Sequence, residues 1–290
     1  MTSPSRPFDL SIEVFPPRDL ITSFDLWKAI EELCKLAPEF ISVTYGAGGS
    51  TRENTTQALE VLSRKYGVDT AGHLTCVGGS RDKTLSVAQD FWSAGARRLV
   101  ALRGDVPRQG GHDKEEFKDP IELIGATKQL HNFKFYVAAY PSFHPRAASS
   151  SACIEFLKRK FDAGAYAAIT QFFFEAEDFL RFRDRCVSAG ITQKIIPGIL
   201  PIEHWSKTKS FAQKCGVPVP QFLDETFAKA NSRDVHDLLA ISVGTELCDT
   251  LLEEGVEDLH FYSLNRAALT TRICQALGRE TASKSLRAAS

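Results

Sequence analysis

With 290 residues the chain is long enough for one large core without subdivision, and 35 basic side chains against 36 acidic ones leave no overall charge to draw it to nucleic acid or a membrane surface. Seven cysteines, odd in number, scattered and without a C-x-x-C pair, argue against a disulfide framework or a zinc site and point to a reducing, cytoplasmic setting. No apolar run approaches the roughly 18 residues that a membrane span requires, and Met1–Pro7 lacks the apolar segment of a signal peptide.

The predicted elements alternate from the start. Leu10–Phe15 reads as a strand, stopped by Pro16-Pro17, which cannot donate to a ladder. A helix follows, with Ser23 or Asp25 as its cap and Leu26, Ile30 and Leu33 at helical spacing. Phe40–Tyr45 is the second strand; it ends at Gly46-Ala-Gly-Gly49, and Ser50 or Thr51 opens a helix with Ala58, Leu59 and Leu62 on its apolar face. Ala71–Val77 precedes a helix from Asp82 through Leu85, Ala88 and Trp92 to Gly95. Leu99–Gly104 is the fourth run, ending on Arg103-Gly-Asp105.

Phe133–Tyr140, Ala167–Phe174, Lys194–Leu200 and Asp258–Leu264 complete a set of eight strands. Helices are expected over about Ser149–Phe161, through Phe179, Phe182 and Cys186, and over Arg266–Leu277. Two or three more fall between Glu203 and Glu254, one of them Asp234–Glu253. Arg108–Glu116 reads as a surface loop and the tail from about Thr281 as frayed, so one catalytic domain with its core over about 8–278 is expected.

Eight strands alternating with helices imply parallel βαβ units, and eight is the number that closes a (β/α)8 barrel, here an α/β TIM barrel with extra helices before its last strand. An open doubly wound sheet would carry a G-x-G-x-x-G after strand one, where this chain has Phe15-Pro-Pro-Arg18. In a barrel the strand ends converge on one mouth, which would gather Glu13, Thr44 and Tyr45, His73, Arg103 and Asp105, Tyr140 and His144, Gln171, and Asn265-Arg266. Taken singly, each has a plain structural reading: Glu13 a solvated edge residue, His73 a core histidine, Arg103 and Asp105 an ion pair. Convergence is what raises them together. No nucleophile signature or metal-ligand cluster stands out. Aromatic supply (Tyr45, Tyr140, Phe172, Phe174, Phe211) and the cations Arg103, Arg159 and Lys160 suit a large planar ligand bearing phosphates.

Nine ordered runs carry a resemblance: Ile12-Glu-Val-Phe-Pro-Pro-Arg18, Phe40–Ala47, His73-Leu-Thr-Cys76, Ala101-Leu-Arg-Gly-Asp105, Ala138–Pro145, Lys158–Ala165, Ile169–Phe174, Ile196–Pro201 and His260–Arg266. From about residue 8 to 278 they resemble the FAD-dependent 5,10-methylenetetrahydrofolate reductases, barrel enzymes of one-carbon metabolism. The resemblance implies a ping-pong reductase in which NADH or NADPH reduces FAD and the folate then takes the hydride, the net direction following metabolite ratios.

It makes Glu13 the general acid for N10, a role that needs a raised pKa, and Asp105 the charge beside flavin and folate. It assigns Thr44, Tyr45, His73, Arg103, Gly104, Asp105, Tyr140, His144, Arg159 and Lys160 to the FAD, the last two to its pyrophosphate. Gln171 falls to the pterin, Phe211 to stacking on either substrate and Arg266 to the folate tail. Some members carry aspartate where Cys153 stands, which puts that contact in doubt. No metal is implied, and a homo-oligomer is. Another flavin reaction, such as proline oxidation, and a silent folate-binding scaffold are the competing readings; the presence of Glu13, Asp105 and Gln171 speaks against the scaffold. The eukaryotic regulatory domain, and inhibition by S-adenosylmethionine, are not expected.

Overall fold

The computed structural model describes residues 7–46, 51–104, 116–142 and 149–281. Eight strands, β1 (Asp9–Val14), β2 (Phe40–Val43), β3 (Thr70–Thr75), β4 (Arg98–Leu102), β5 (Lys134–Ala139), β6 (Ala165–Phe172), β7 (Lys194–Ile199) and β8 (Asp258–Tyr262), pair in parallel in sequence order, and β8 closes on β1. The helices are α1 (Leu20–Cys34), α2 (Arg52–Tyr66), α3 (Arg81–Ser93), α4 (Pro120–Thr127), α5 (Ser150–Asp162), α6 (Ala176–Ser188), α7 (Trp205–Cys215), α8 (Gln221–Phe227), α9 (Arg233–Glu253) and α10 (Ala267–Ala276). The result is the expected TIM barrel, with α7 and α8 as additions before α9 and β8. No described helix is long and apolar enough to cross a membrane.

Each strand is buried on both faces, which is why the runs read as nearly continuous apolar segments. Alternate residues split between two layers. Ile41, Val43, Leu74 and Leu99 pack outward into the main core beneath the helices. Phe40, Ala71, Val100, Tyr136, Ala167, Ile169 and Ile196, drawn from β2 to β7, fill the barrel interior. The seam between β1 and β8 is different: there the inward positions are Ser11, Glu13, His260 and Tyr262, with Ser11 opposite His260 and Glu13 opposite Tyr262.

Three local expectations are corrected. Helix α1 starts at Leu20, capped by Asp19 in a capping box with Thr22, not at Ser23 or Asp25. Its first turn hides in the sequence because Leu20, Ile21 and Phe24 are apolar yet 87%, 75% and 82% exposed. Helix α4 was not foreseen; Asp119 caps it, with Pro120 in its first turn. Strand β6 ends at Phe172, and Phe173 turns outward to stack on Phe179. Residues 108–115 and 282–290, read as loop and tail, lie outside the described residues.

Candidate active site

At the C-terminal mouth of the strands a cavity of about 380 Å³ is lined by residues from all eight strand ends, among them Glu13, Thr44, His73, Tyr140, Gln171, Leu200, His260 and Tyr262. A larger groove, about 820 Å³, lies outside the barrel between α1 and α10. Its buried acid, Glu203, is already taken by Arg233 and Arg266, which leaves the smaller cavity as the candidate site.

Glu13 points inward from β1 because it shares a face with Ser11 and Asp9. Burial alone pushes its carboxyl up to about 8, since a low-dielectric setting penalises the charged form. Burial likewise holds His73 down to about 4. The two meet with His73 Nε2 3.4 Å from Glu13 Oε2, and at neutral pH both are uncharged, so the carboxyl keeps its proton. His73 Nε2 has no hydrogen-bond partner among the described residues. Behind them His260, pressed to about 3 by burial, sits with Nδ1 2.8 Å from Ser11 Oγ. Tyr262 donates to the Thr170 carbonyl at 2.7 Å. That approach requires Gly198, where a Cβ would fall 2.2 Å from Thr170 O and 2.6 Å from the Tyr262 ring.

The structure gathers six of the expected site residues, Glu13, Thr44, His73, Tyr140, Gln171 and Phe211, around this cavity. Gln171 Oε1 accepts from the Phe172 N–H at 3.1 Å. Phe211, from α7, is 46% exposed and stacks on Phe172 with centroids 5.5 Å apart and planes 18° off parallel. Others stand apart. Tyr45 follows inward-facing Thr44 and so turns outward, meeting Phe91 edge to face at 6.2 Å.

Arg103 is exposed and does not line the cavity. Gly104 adopts φ 83°, and a Cβ there would lie 2.9 Å from Thr75. Lys160 is buried and donates to the carbonyl of Ala138, on the β5 wall of the cavity; burial lowers it to about 8. Arg159 is exposed, 5.7 Å from the Phe156 ring, and Cys153 lies in the first turn of α5. Arg266 lies in the outer groove, 3.3 Å from Glu203. Asp105 and His144 lie outside the described residues.

Sequence reasoning passed over Ser11, His260 and Tyr262 as individual residues. The period of two along β8, Asp258, His260, Tyr262, was the available signal, since one of them facing inward requires all three to do so.

Residues 3–278 match the family model described as methylenetetrahydrofolate reductase. The 5,10-methylenetetrahydrofolate reductases of Salmonella typhimurium (strain LT2) and Escherichia coli (strain K12) are 43% and 42% identical over 271 residues, 93% of this chain and 90% of each relative. A Zea mays methylenetetrahydrofolate reductase (NADH) 1 is 32% identical over 286 residues, which is 92% of this chain and 48% of that one. Among solved structures, a Clostridium thermocellum protein that binds two copies of 5-methyl-5,6,7,8-tetrahydrofolic acid superposes with TM-score 0.65 at 14% identity, covering 94% of this chain and 96% of that one. At that identity the likeness concerns the fold alone. On the strength of the family match and of relatives aligned along nearly their whole length, the chain belongs to the methylenetetrahydrofolate reductase family.

Proposed function

We propose that this protein is an FAD-dependent reductase that converts 5,10-methylenetetrahydrofolate to 5-methyltetrahydrofolate at the expense of NADH or NADPH. The observation that carries the reading is the placement of the Glu13 carboxyl at the mouth of the barrel, its side chain only 15% exposed, 3.4 Å from His73 Nε2 and with no cation among the described lining residues, a setting that raises its pKa. Opening the N5,N10-methylene bridge breaks the N10–CH2 bond, and the electron pair it leaves on N10 must take a proton. A carboxyl still protonated at neutral pH is suited to give one.

The residues present fit a flavin. The buried His73 Nε2 lacks a partner, and Thr44, Tyr140 and Gln171 offer further polar atoms around a cavity with largely apolar walls. These residues, with Lys160 behind β5, would hold the cofactor; Asp105, His144 and the exposed cations Arg103 and Arg159 are proposed with them on the family resemblance. When bound, FAD supplies a hydride carrier that a reduced nicotinamide can load and the folate can discharge. Phe211, stacked on Phe172 and open on its other face, can cover either flat substrate in turn. Glu13 then supplies the proton, and the carboxylate it leaves has no cation among the described lining residues, which favours rapid reprotonation. Arg266, proposed for the folate tail, would reach it from the rim.

Purification tests the reading. The protein is expected to be yellow, to bleach anaerobically with a reduced nicotinamide and to recolour on addition of methylenetetrahydrofolate. A preparation that binds no FAD, or a bleached one that the folate leaves colourless, overturns it.

A further inference from the structure

The end of β8 is built as a latch on the end of β1. After Tyr262 the chain passes through Leu264 at φ 52° and Asn265 at φ 57°, both in the left-handed region. Asparagine tolerates that region better than most side chains, whereas leucine does not, so the turn is held against a local cost. Asn265 Oδ1 accepts from the Phe15 N–H at 2.8 Å, and its Nδ2 donates to the Phe15 carbonyl at 3.0 Å. Ser263 adds two more bonds, its N–H and its hydroxyl both donating to the Glu13 carbonyl, at 3.2 and 2.7 Å. Four hydrogen bonds from two residues therefore converge on the backbone of residues 13 and 15.

They are needed there because the β1 ladder has run out. Pro16 and Pro17 follow with no N–H to give, and on the other side the Thr44 N–H, just past β2, donates to the Val14 carbonyl at 3.0 Å. The Asn265 amide has the donor and acceptor of a peptide unit, and it supplies the rung that a continued β8 would have made.

We propose that Asn265, with Ser263, is a positioning residue for the reductase: by pinning the backbone on either side of Val14 it holds the Glu13 carboxyl at its place in the cavity and the Phe15 ring beside it. The inference rests on Glu13 being the acid of the proposed reaction. The titratable groups that share the cavity with that carboxyl are His73 from β3, His260 and Tyr262 from β8, and Tyr140 beyond β5; no lysine, arginine or aspartate lines its described part. Burial of the carboxyl itself is then what keeps it protonated; the latch lies at the exposed rim, with Phe15 41% exposed, and fixes how deep in the cavity that carboxyl sits.

The test is N265G in the full-length protein. Glycine accepts the left-handed turn freely, so this change deletes both side-chain bonds while sparing the turn. The folate half-reaction is expected to fall at least tenfold more than the nicotinamide half-reaction. The pH midpoint of the folate step is expected to move down, together with the ionisation of Glu13 followed by isotope-edited infrared difference spectra against E13Q. S263A should do the same to a smaller degree. N265G with wild-type folate rate and midpoint overturns the proposal. Should N265G fail to fold, the wild-type protein still decides: the Phe15 amide is expected to be protected from hydrogen exchange, and exchange at the rate of an open amide overturns the latch. A wild-type chain that never reduces methylenetetrahydrofolate sinks the general-acid reading instead, leaving the infrared midpoint and the Phe15 exchange to judge the latch alone.

Discussion

The two rims of this barrel use the same kinds of side chain to opposite ends. At the N-terminal rim Asp9, Glu39 and Asp258 bring carboxylate oxygens within 4.8 Å of one another. Cations answer them: Lys194 reaches both oxygens of Asp258 at 2.8 and 3.0 Å, Arg98 bonds Glu39 at 3.0 Å and Asp69 besides, and Lys134 lies 3.5 Å from Glu39. At the C-terminal rim the same strands β1 and β8 carry Glu13, His260 and Tyr262, with His73 opposite, and no cation joins them among the described lining residues. Acids met by cations tie strands together; buried groups with no opposite charge beside them favour their uncharged forms and become available for proton chemistry. Position along the strand decides which, in keeping with the division of barrels into a stabilising face and a working face.

The largest effect expected from breaking this contrast comes from Glu13. Glu13→Gln keeps the shape and removes the proton, so the folate half-reaction should fall by about 10²–10⁴-fold, read by anaerobic stopped-flow, while the nicotinamide half-reaction loses far less. Equal losses in both would remove Glu13 from the acid role. In the wild type the folate step should be fastest below the carboxyl's midpoint and decline as pH rises through about 8. A profile that instead falls through the ordinary carboxylate range would mean that the group is solvated during turnover.

The same burial makes Glu13 a burden on the fold. Its native pKa lies above the unfolded value of 4.5, so the native state is favoured fully below pH 4.5 and loses stability as pH rises toward about 8, where the carboxyl must ionise. Glu13→Gln escapes that loss. Its advantage in denaturant unfolding over the wild type should grow across the window from about pH 4.5 to 8 and reach a few kcal/mol. At the other rim the sign reverses: Arg98→Met strips a cation that is 8% exposed from two acids and should cost about 2–3 kcal/mol, less than for a fully buried pair because Asp69 and Glu39 keep some solvent. The ratio of the two half-reactions should not change.

Most of the barrel was legible because its strands carry their signal locally: Phe40–Val43 is a short β-branched and aromatic run, and Lys194–Ile199 holds three isoleucines around Pro197-Gly198. Glu13, His73 and Gln171 were legible as strand-end polar residues, and closure of the barrel made them one group. What stayed hidden depends on three-dimensional context. The outward turn of Tyr45 follows from the parity of β2, which adjacent polar and aromatic residues do not reveal. Arg266 lies in the outer groove because buried Glu203, more than sixty positions earlier, holds it there. The latch of Asn265 on Phe15 spans 250 positions and leaves no periodic trace in the sequence.

The smallest effect sharpens the contrast most, because it separates a polar residue that only fills the interior from one that does chemistry. Ser11 lies below the acid on the same face of β1, and its hydroxyl is the partner of His260 Nδ1 at 2.8 Å, both residues being buried. Ser11→Ala strands that imidazole nitrogen and should cost about 1 kcal/mol, at the low end for an unsatisfied buried group because alanine no longer has a hydroxyl to bury. Thermal unfolding would read it as a shift of roughly 2 °C. If Ser11 and His260 serve packing alone, the pH midpoint of the folate step stays where it was. A midpoint that moves with Ser11→Ala would extend the uncharged region around Glu13 a full layer deeper into the barrel and draw the boundary between its working and stabilising halves below His260.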